Sequence, residues 1–196
     1  ALLFIASTII MKRINPNNTY LFASAPVAIA ALYINWDMWA IITMLFAIYW
    51  FDNKKYRASA IALGVSIATK FFPIVLLIAV VAYFIRTNEV KKSISYSALT
   101  LTTYGLINLP FALSTPQGWW RFFELNLHRN PDWGSLWLGL EFSNIHLSHF
   151  NFLTLLATLI PLIVAFFYLL NTREVLTLAQ SSIFFIAIIM TFGKVY

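Results

Sequence analysis

Lys70 is the first residue whose setting calls for chemistry. It stands in Ala62-Leu63-Gly64-Val65-Ser66-Ile67-Ala68-Thr69-Lys70-Phe71-Phe72-Pro73, between a small-residue apolar run and a second apolar run that opens on Phe-Phe-Pro. A lysine at a bilayer centre costs roughly 2.5–3.5 kcal/mol, so it lies at an interface or answers a negative group. Its functional reading is a point charge for the phosphate of a lipid-linked substrate. Its plainer reading is a lysine that snorkels to the interface on its own stem. Asp37, in Asn35-Trp36-Asp37, has a similar pair of readings. It could position a sugar hydroxyl or act as a base, or it could cap the helix beginning at Met38 at its positive end.

A second concentration of polar chemistry falls in 114–150. Thr115-Pro116 is an N-cap and first-turn pair. The following Trp119-Trp120-Arg121-Phe122-Phe123-Glu124-Leu125-Asn126-Leu127-His128 sets Arg121, Glu124 and His128 on one helical face with aromatics around the rest. That pattern predicts an amphipathic helix lying in a membrane interface. It runs into Arg129-Asn130-Pro131-Asp132-Trp133-Gly134-Ser135-Leu136-Trp137. Tryptophan beside Asp, Asn and Arg combines a flat apolar face with planar hydrogen-bonding groups, which suits a sugar. An aromatic belt with a solvated edge accounts for the helix but less well for this continuation. His146 and His149, near Glu141, lack the third ligand and fixed geometry of a metal site, and no metal is expected. The sequence has no Gly-rich phosphate loop and no Gly-x-Ser-x-Gly elbow. Without cysteine it has no thiolate zinc site and no cysteine nucleophile.

The elements that must hold these residues are apolar helices. Of 196 residues, 61% are hydrophobic and only 10% charged, whereas a soluble domain carries about 25% charged residues. The apolar runs lack the alternation of a barrel strand, so the composition predicts an all-α, multi-pass integral membrane bundle. About eight hydrophobic segments are expected. They include a first run ending before a polar turn at Lys12-Arg13, a span over 20–34 kinked at Pro26, and spans over 38–51, 58–69, 73–85, 93–113, 152–170 and 178–192. All of these belong to one transmembrane domain over 1–196, with 114–150 as a loop. Neither end carries a polar tail or a charged leader, so the chain reads as an internal fragment.

Loop charges give an orientation. Lys12, Arg13, Lys54, Lys55, Arg57, Arg86, Lys91, Lys92 and Arg173 occupy the odd-numbered connections, nine of the thirteen basic residues. Lys70, Arg121, Arg129 and Lys194 fall on the other side. The positive-inside rule puts the odd connections in the cytoplasm, and Asp37, Lys70, the 114–150 loop and Lys194 outside. The net charge of +6 is then a topology signal, and no nucleic-acid partner is expected. The Asn17-Asn18-Thr19 glycosylation pattern falls on the inner side and reads as chance.

With these residues in view the chain resembles glycosyltransferase family 87. These are polytopic enzymes of the GT-C superfamily, related to mycobacterial phosphatidylinositol-mannoside mannosyltransferases. The resemblance rests on Asn35-Trp36-Asp37, on the Gly64 to Pro73 stretch with its Ala68-Thr69-Lys70, on Arg129 to Trp137, and on Phe192-Gly193-Lys194-Val195-Tyr196. It implies a polyprenyl-phosphate-linked sugar donor, a lipid or glycan acceptor and no cofactor. It also implies inverting transfer, in this case of mannose or a similar sugar, on the extracytoplasmic face of a bacterial plasma membrane. GT-C enzymes usually carry the catalytic aspartate in the first outer loop, which would precede Ala1, so the base is expected upstream and Asp37 is a weak candidate. Transfer needs cations on the departing phosphate. Lys70, Arg129, Asp132, Lys194, Arg121, Trp133 and Asn35 are therefore the expected substrate-binding set. A transporter or flippase of lipid-linked sugars would use the same topology and the same lysine; such proteins often show two related halves, and no internal repeat is visible here.

Overall fold

A computed structural model describes residues 2–26, 28–29, 37–133, 135–145 and 147–193. Among the described residues every regular element is helical. The helices are α1 (Leu2–Ile14), α2 (Thr19–Ala23), α3 (Asp37–Asp52), α4 (Tyr56–Thr69), α5 (Val75–Arg86), α6 (Val90–Ser114), α7 (Pro116–His128), α8 (Leu136–Phe142), α9 (Phe150–Asn171) and α10 (Leu178–Phe192). A 3-10 turn, Phe72–Ile74, leads from α4 to α5. The chain forms two compact units, Ala1–Asn108 and Leu109–Tyr196.

In the first unit α4 is enclosed by its neighbours, and its small residues are the reason. Ser59, Ala60, Ala62, Leu63, Gly64, Ser66 and Ile67 are all buried, and small side chains let helix backbones approach closely. Toward α3, the Ser59 hydroxyl donates to the Ala47 carbonyl at 2.7 Å and the Ser66 hydroxyl to the Ala40 carbonyl at 2.8 Å. The partners are seven residues apart on both helices and run in opposite directions, so two serines fix the antiparallel register. Ser59 has spent its proton on Ala47, so the Tyr96 hydroxyl 2.7 Å away must donate to it. Toward α6, the Thr100 hydroxyl donates to the Ala60 carbonyl at 3.2 Å. One turn on, a Cβ built on Gly64 would stand 2.6 Å from the Thr103 Cβ and 2.7 Å from the Thr100 carbonyl oxygen. Any side chain at position 64 would therefore force α4 and α6 apart.

One end of this unit is closed by aromatic rings. Phe51 lies 5.1–5.8 Å from the rings of Tyr56, Tyr83, Phe84 and Tyr96, tying the end of α3, the start of α4, the end of α5 and the start of α6 together. The C-termini of α3 and α5 turn on Lys54 and Asn88, both left-handed (φ 60° and 57°). In each case the next amide bonds back five residues, Lys55 to Trp50 and Glu89 to Phe84, the Schellman closure that glycine usually makes.

In the second unit α9 and α10 pack through Leu162, Ala165 and Leu169 on one helix and Leu178, Ser182 and Phe185 on the other. A reciprocal Thr177–Gln180 capping box starts α10. Trp137 of α8 is buried. Its indole N–H donates to the Phe192 carbonyl at 2.8 Å, and the Thr158 hydroxyl of α9, which donates to the Thr154 carbonyl at 2.9 Å, lies 3.3 Å from the same Phe192 oxygen.

Three local expectations change. The first run does not turn at Lys12-Arg13: α1 continues through both to Ile14, because cations in a last turn complement the helix dipole. Pro26 does not kink a continuous helix. α2 stops at Ala23, since proline has no N–H and its ring clashes with the carbonyl four residues back. Helical backbone restarts at Pro26, with the Ile29 amide bonding the Ala25 carbonyl. Thr115 precedes a helix that begins at Pro116 as expected, yet its hydroxyl makes no cap. It bonds the Phe111 carbonyl at 3.3 Å instead, because α6 runs on to Ser114 and supplies unpaired carbonyls of its own.

Among the described residues one helix, α9, is long and apolar enough to cross a membrane, at 22 residues. Phe72–Arg86 and α10 are apolar but shorter. α6 has 25 residues but is laced with serine and threonine.

Candidate functional site

The α3–α4 seam that Ser59 and Ser66 set also delivers the first pair of candidate residues. One turn beyond the Ser66–Ala40 contact, α3 begins at Asp37 and α4 has ended at Thr69. Lys70 is extended (φ −151°, ψ 129°), and its amide still bonds the Ser66 carbonyl. Pro73, buried in the 3-10 turn, prevents the helix from going further. Lys70 Nζ reaches Asp37 Oδ1 at 2.5 Å, with the two side chains 36% and 27% exposed. Lys70 thus answers a negative group, and Asp37 sits at the positive end of a helix while holding a cation. The two alternatives drawn for each residue are therefore partly merged. A half-exposed pair of this kind is worth about 0–1 kcal/mol to stability, and the Phe71 ring beside it packs edge-on against Tyr104 at 6.1 Å.

The second group belongs to the second unit. After α7 ends at His128, Arg129 is extended. The Asp132 carboxylate closes the loop, taking Arg129 Nη2 on Oδ2 and the Trp133 backbone N–H on Oδ1, both at 2.8 Å. The Trp133 N–H first, and the guanidinium second, hold the Asp132 carboxyl below the usual carboxylate range. Its carbonyl also accepts the amide of Ser135, whose hydroxyl caps α8 by accepting from the Leu138 amide. The two tryptophans that flank this cap have different fates. Trp137 turns inward, whereas Trp133 is 79% exposed, its ring 5.9 Å from Phe142. Arg129, Asp132 and Trp133 are the candidate residues that the chain brings together here, as a cation, an anion and an open flat ring.

Arg121 lies on α7, none of whose residues is buried. Trp119, Trp120 and Phe122 gather around Phe123 at 5.0–5.7 Å. His128 faces the Glu124 backbone carbonyl at 3.0 Å. Asn35, Lys194 and His146 lie outside the described residues. Among the described residues no three His, Asp or Glu side chains converge.

No protein-family model, curated protein or solved structure matches the chain. Sequence reasoning saw the small residues of α4 as a packing stripe and missed that Ser59 and Ser66 are what carry Lys70 to Asp37. The signal was present: two serines spaced by two turns in an apolar helix, each needing a carbonyl.

Proposed function

We propose that the chain is part of a multi-pass membrane glycosyltransferase of the GT-C kind. Its sugar, mannose or a close relative, would come from a polyprenyl-phosphate donor and pass to a lipid or glycan acceptor on the extracytoplasmic face of a bacterial plasma membrane. The observation that carries the reading is the Asp37–Lys70 pair, the sole charged side chains among the described residues at their end of the first unit. Every other charge of that unit is grouped around the aromatic cluster at the opposite end. A bundle with its charges confined to two ends suits a bilayer. Helices of 12–16 residues span only about 18–24 Å of a roughly 30 Å core, and snorkelling and local thinning accommodate such a mismatch.

In this reading the bond from the sugar anomeric carbon to the donor phosphate oxygen breaks, and its electron pair leaves with the polyprenyl phosphate. The Lys70 ammonium stabilises that leaving charge as a donor of up to three hydrogen bonds. Asp37 positions the ammonium before the donor arrives. The acceptor hydroxyl attacks from the opposite face and gives its proton to a base. The Arg129–Asp132 pair and the open face of Trp133 offer a second place for sugar hydroxyls and a sugar ring. Full-length protein incubated with polyprenyl-phosphate mannose and acceptor is expected to transfer the sugar. Lys70→Ala is expected to abolish transfer while membrane insertion is kept. Wild-type turnover by that variant would sink the assignment of Lys70, and protein that moves the lipid-linked sugar across vesicles without transferring it would favour the flippase.

A further inference from the structure

We propose that the basic end of the first unit is a binding surface for anionic phospholipid headgroups. Three connections converge there. The Arg13 guanidinium at the end of α1 lies 5.9 Å from the Tyr49 ring centre near the end of α3. The Lys92 ammonium at the start of α6 lies 5.4 Å from the Tyr56 ring centre at the start of α4. Between them, the rings of Phe51, Tyr83 and Phe84 bind the end of α5, and so Arg86, into the same cluster. The α3–α4 turn adds Lys54, Lys55 and Arg57, and Lys12 and Lys91 flank the ends. Eight cations thus share one end with two acids, Asp52 and Glu89, and Glu89 is held by Lys92 at 2.5 Å.

What selects a lipid over a free polyanion is the surface immediately beneath the charges. Arg57 is one turn from Ile61, Arg86 adjoins Ile85, and Lys91 is one turn from Ile94. These isoleucines are 47%, 38% and 66% exposed. A nucleic acid or acidic peptide would satisfy the cations and leave this apolar band in water. A phospholipid satisfies both, phosphate above and acyl chain below, with tyrosines at the boundary where amphipathic rings settle. Basic clusters of this size at a membrane boundary are the ordinary recognition surface for anionic lipids.

The proposal rests on the membrane reading of the chain and is independent of sugar transfer. The test uses the full chain purified in neutral detergent and then placed in nanodiscs of phosphatidylcholine alone or mixed with phosphatidylglycerol. Retained lipid is counted by native mass spectrometry and unfolding temperature is followed in parallel. Phosphatidylglycerol is expected to be retained in preference to phosphatidylcholine, to raise the unfolding temperature, and to be lost as salt increases. Lys54→Gln/Lys55→Gln/Arg57→Gln is expected to weaken retention on the order of a hundredfold, and Lys91→Gln/Lys92→Gln less. The second variant guards against a first variant that fails to insert. Equal retention of the two lipids by wild type, or undiminished retention in an inserted variant, overturns the proposal. Inorganic phosphate competing as well as the lipid overturns it too, by making the ligand a free anion. Protein that stays soluble and monodisperse without detergent instead defeats the membrane reading beneath it.

Discussion

Replacing Gly64 by alanine tests the packing that carries Lys70 to its partner. In a helix interior the change is ordinarily favourable by about 0.5–1 kcal/mol, because glycine loses more backbone freedom on folding. At this site the new methyl would meet the Thr103 Cβ at 2.6 Å and the Thr100 carbonyl oxygen at 2.7 Å. Neither is the tip of a flexible side chain, so no rotamer change relieves the contact and α4 must move from α6. Overpacking of that kind costs about 1–3 kcal/mol, which offsets the helical gain and leaves a net loss of about 0–2.5 kcal/mol. Gly105, in the same helix as Thr103, supplies the control, since a Cβ there meets nothing within 4 Å. Gly105→Ala is expected to gain the helical term alone. Thermal unfolding of the two variants beside wild type, in one detergent, should move in opposite directions, by about 2–4 °C per kcal/mol for a chain of this size. If Gly64→Ala stabilises the protein as much as Gly105→Ala does, the close contact between α4 and α6 is wrong.

Two further outcomes follow from local geometry. Lys54 holds a left-handed backbone that costs a residue with a side chain about 1–2 kcal/mol, so Lys54→Gly should raise thermal stability. Asn88→Gly should raise it less, because asparagine tolerates the conformation; equal gains would remove left-handed strain as the cause. Asp132 has a lowered folded pKa, so its contribution to holding the loop is present above the unfolded value of about 3.9 and is lost as pH falls through the folded one. The difference in tryptophan emission between wild type and Trp133→Phe should therefore change with a midpoint below 3.8, and Asp132→Asn should flatten it; a midpoint at or above that value would show that the N–H and guanidinium contacts are not made.

The helical class was legible because apolar runs without alternation leave no other regular structure, and α10 begins and ends where its composition changes. The start of α7 at Pro116 and the end of α4 before Phe-Phe-Pro were legible because proline acts locally. What could not be read was any feature that depends on register. Asp37 and Lys70 are 33 residues apart, and the tight α3–α4 turn with the two serine–carbonyl bonds determines that they face each other. Trp133 and Trp137 look alike in the sequence, four residues apart in one aromatic-polar stretch. The difference between them lies in an acceptor at Phe192, which no periodicity announces. Lys12 and Arg13 suggest a turn because charge marks loops on average, whereas at a helix C-terminus the same charge extends the helix.

The acceptor at Phe192 also sets an order of events. The Trp137 indole N–H finds its oxygen 55 residues later in the chain. At about 5–20 residues per second of synthesis, α8 exists for several seconds before the group that completes it has been made. During that interval the Trp137 indole has to remain at a boundary where its N–H can be solvated, and only the arrival of the last turn of α10 allows it to be buried. The second unit is therefore closed from its C-terminal side, and a ribosome paused within α10 would hold it open.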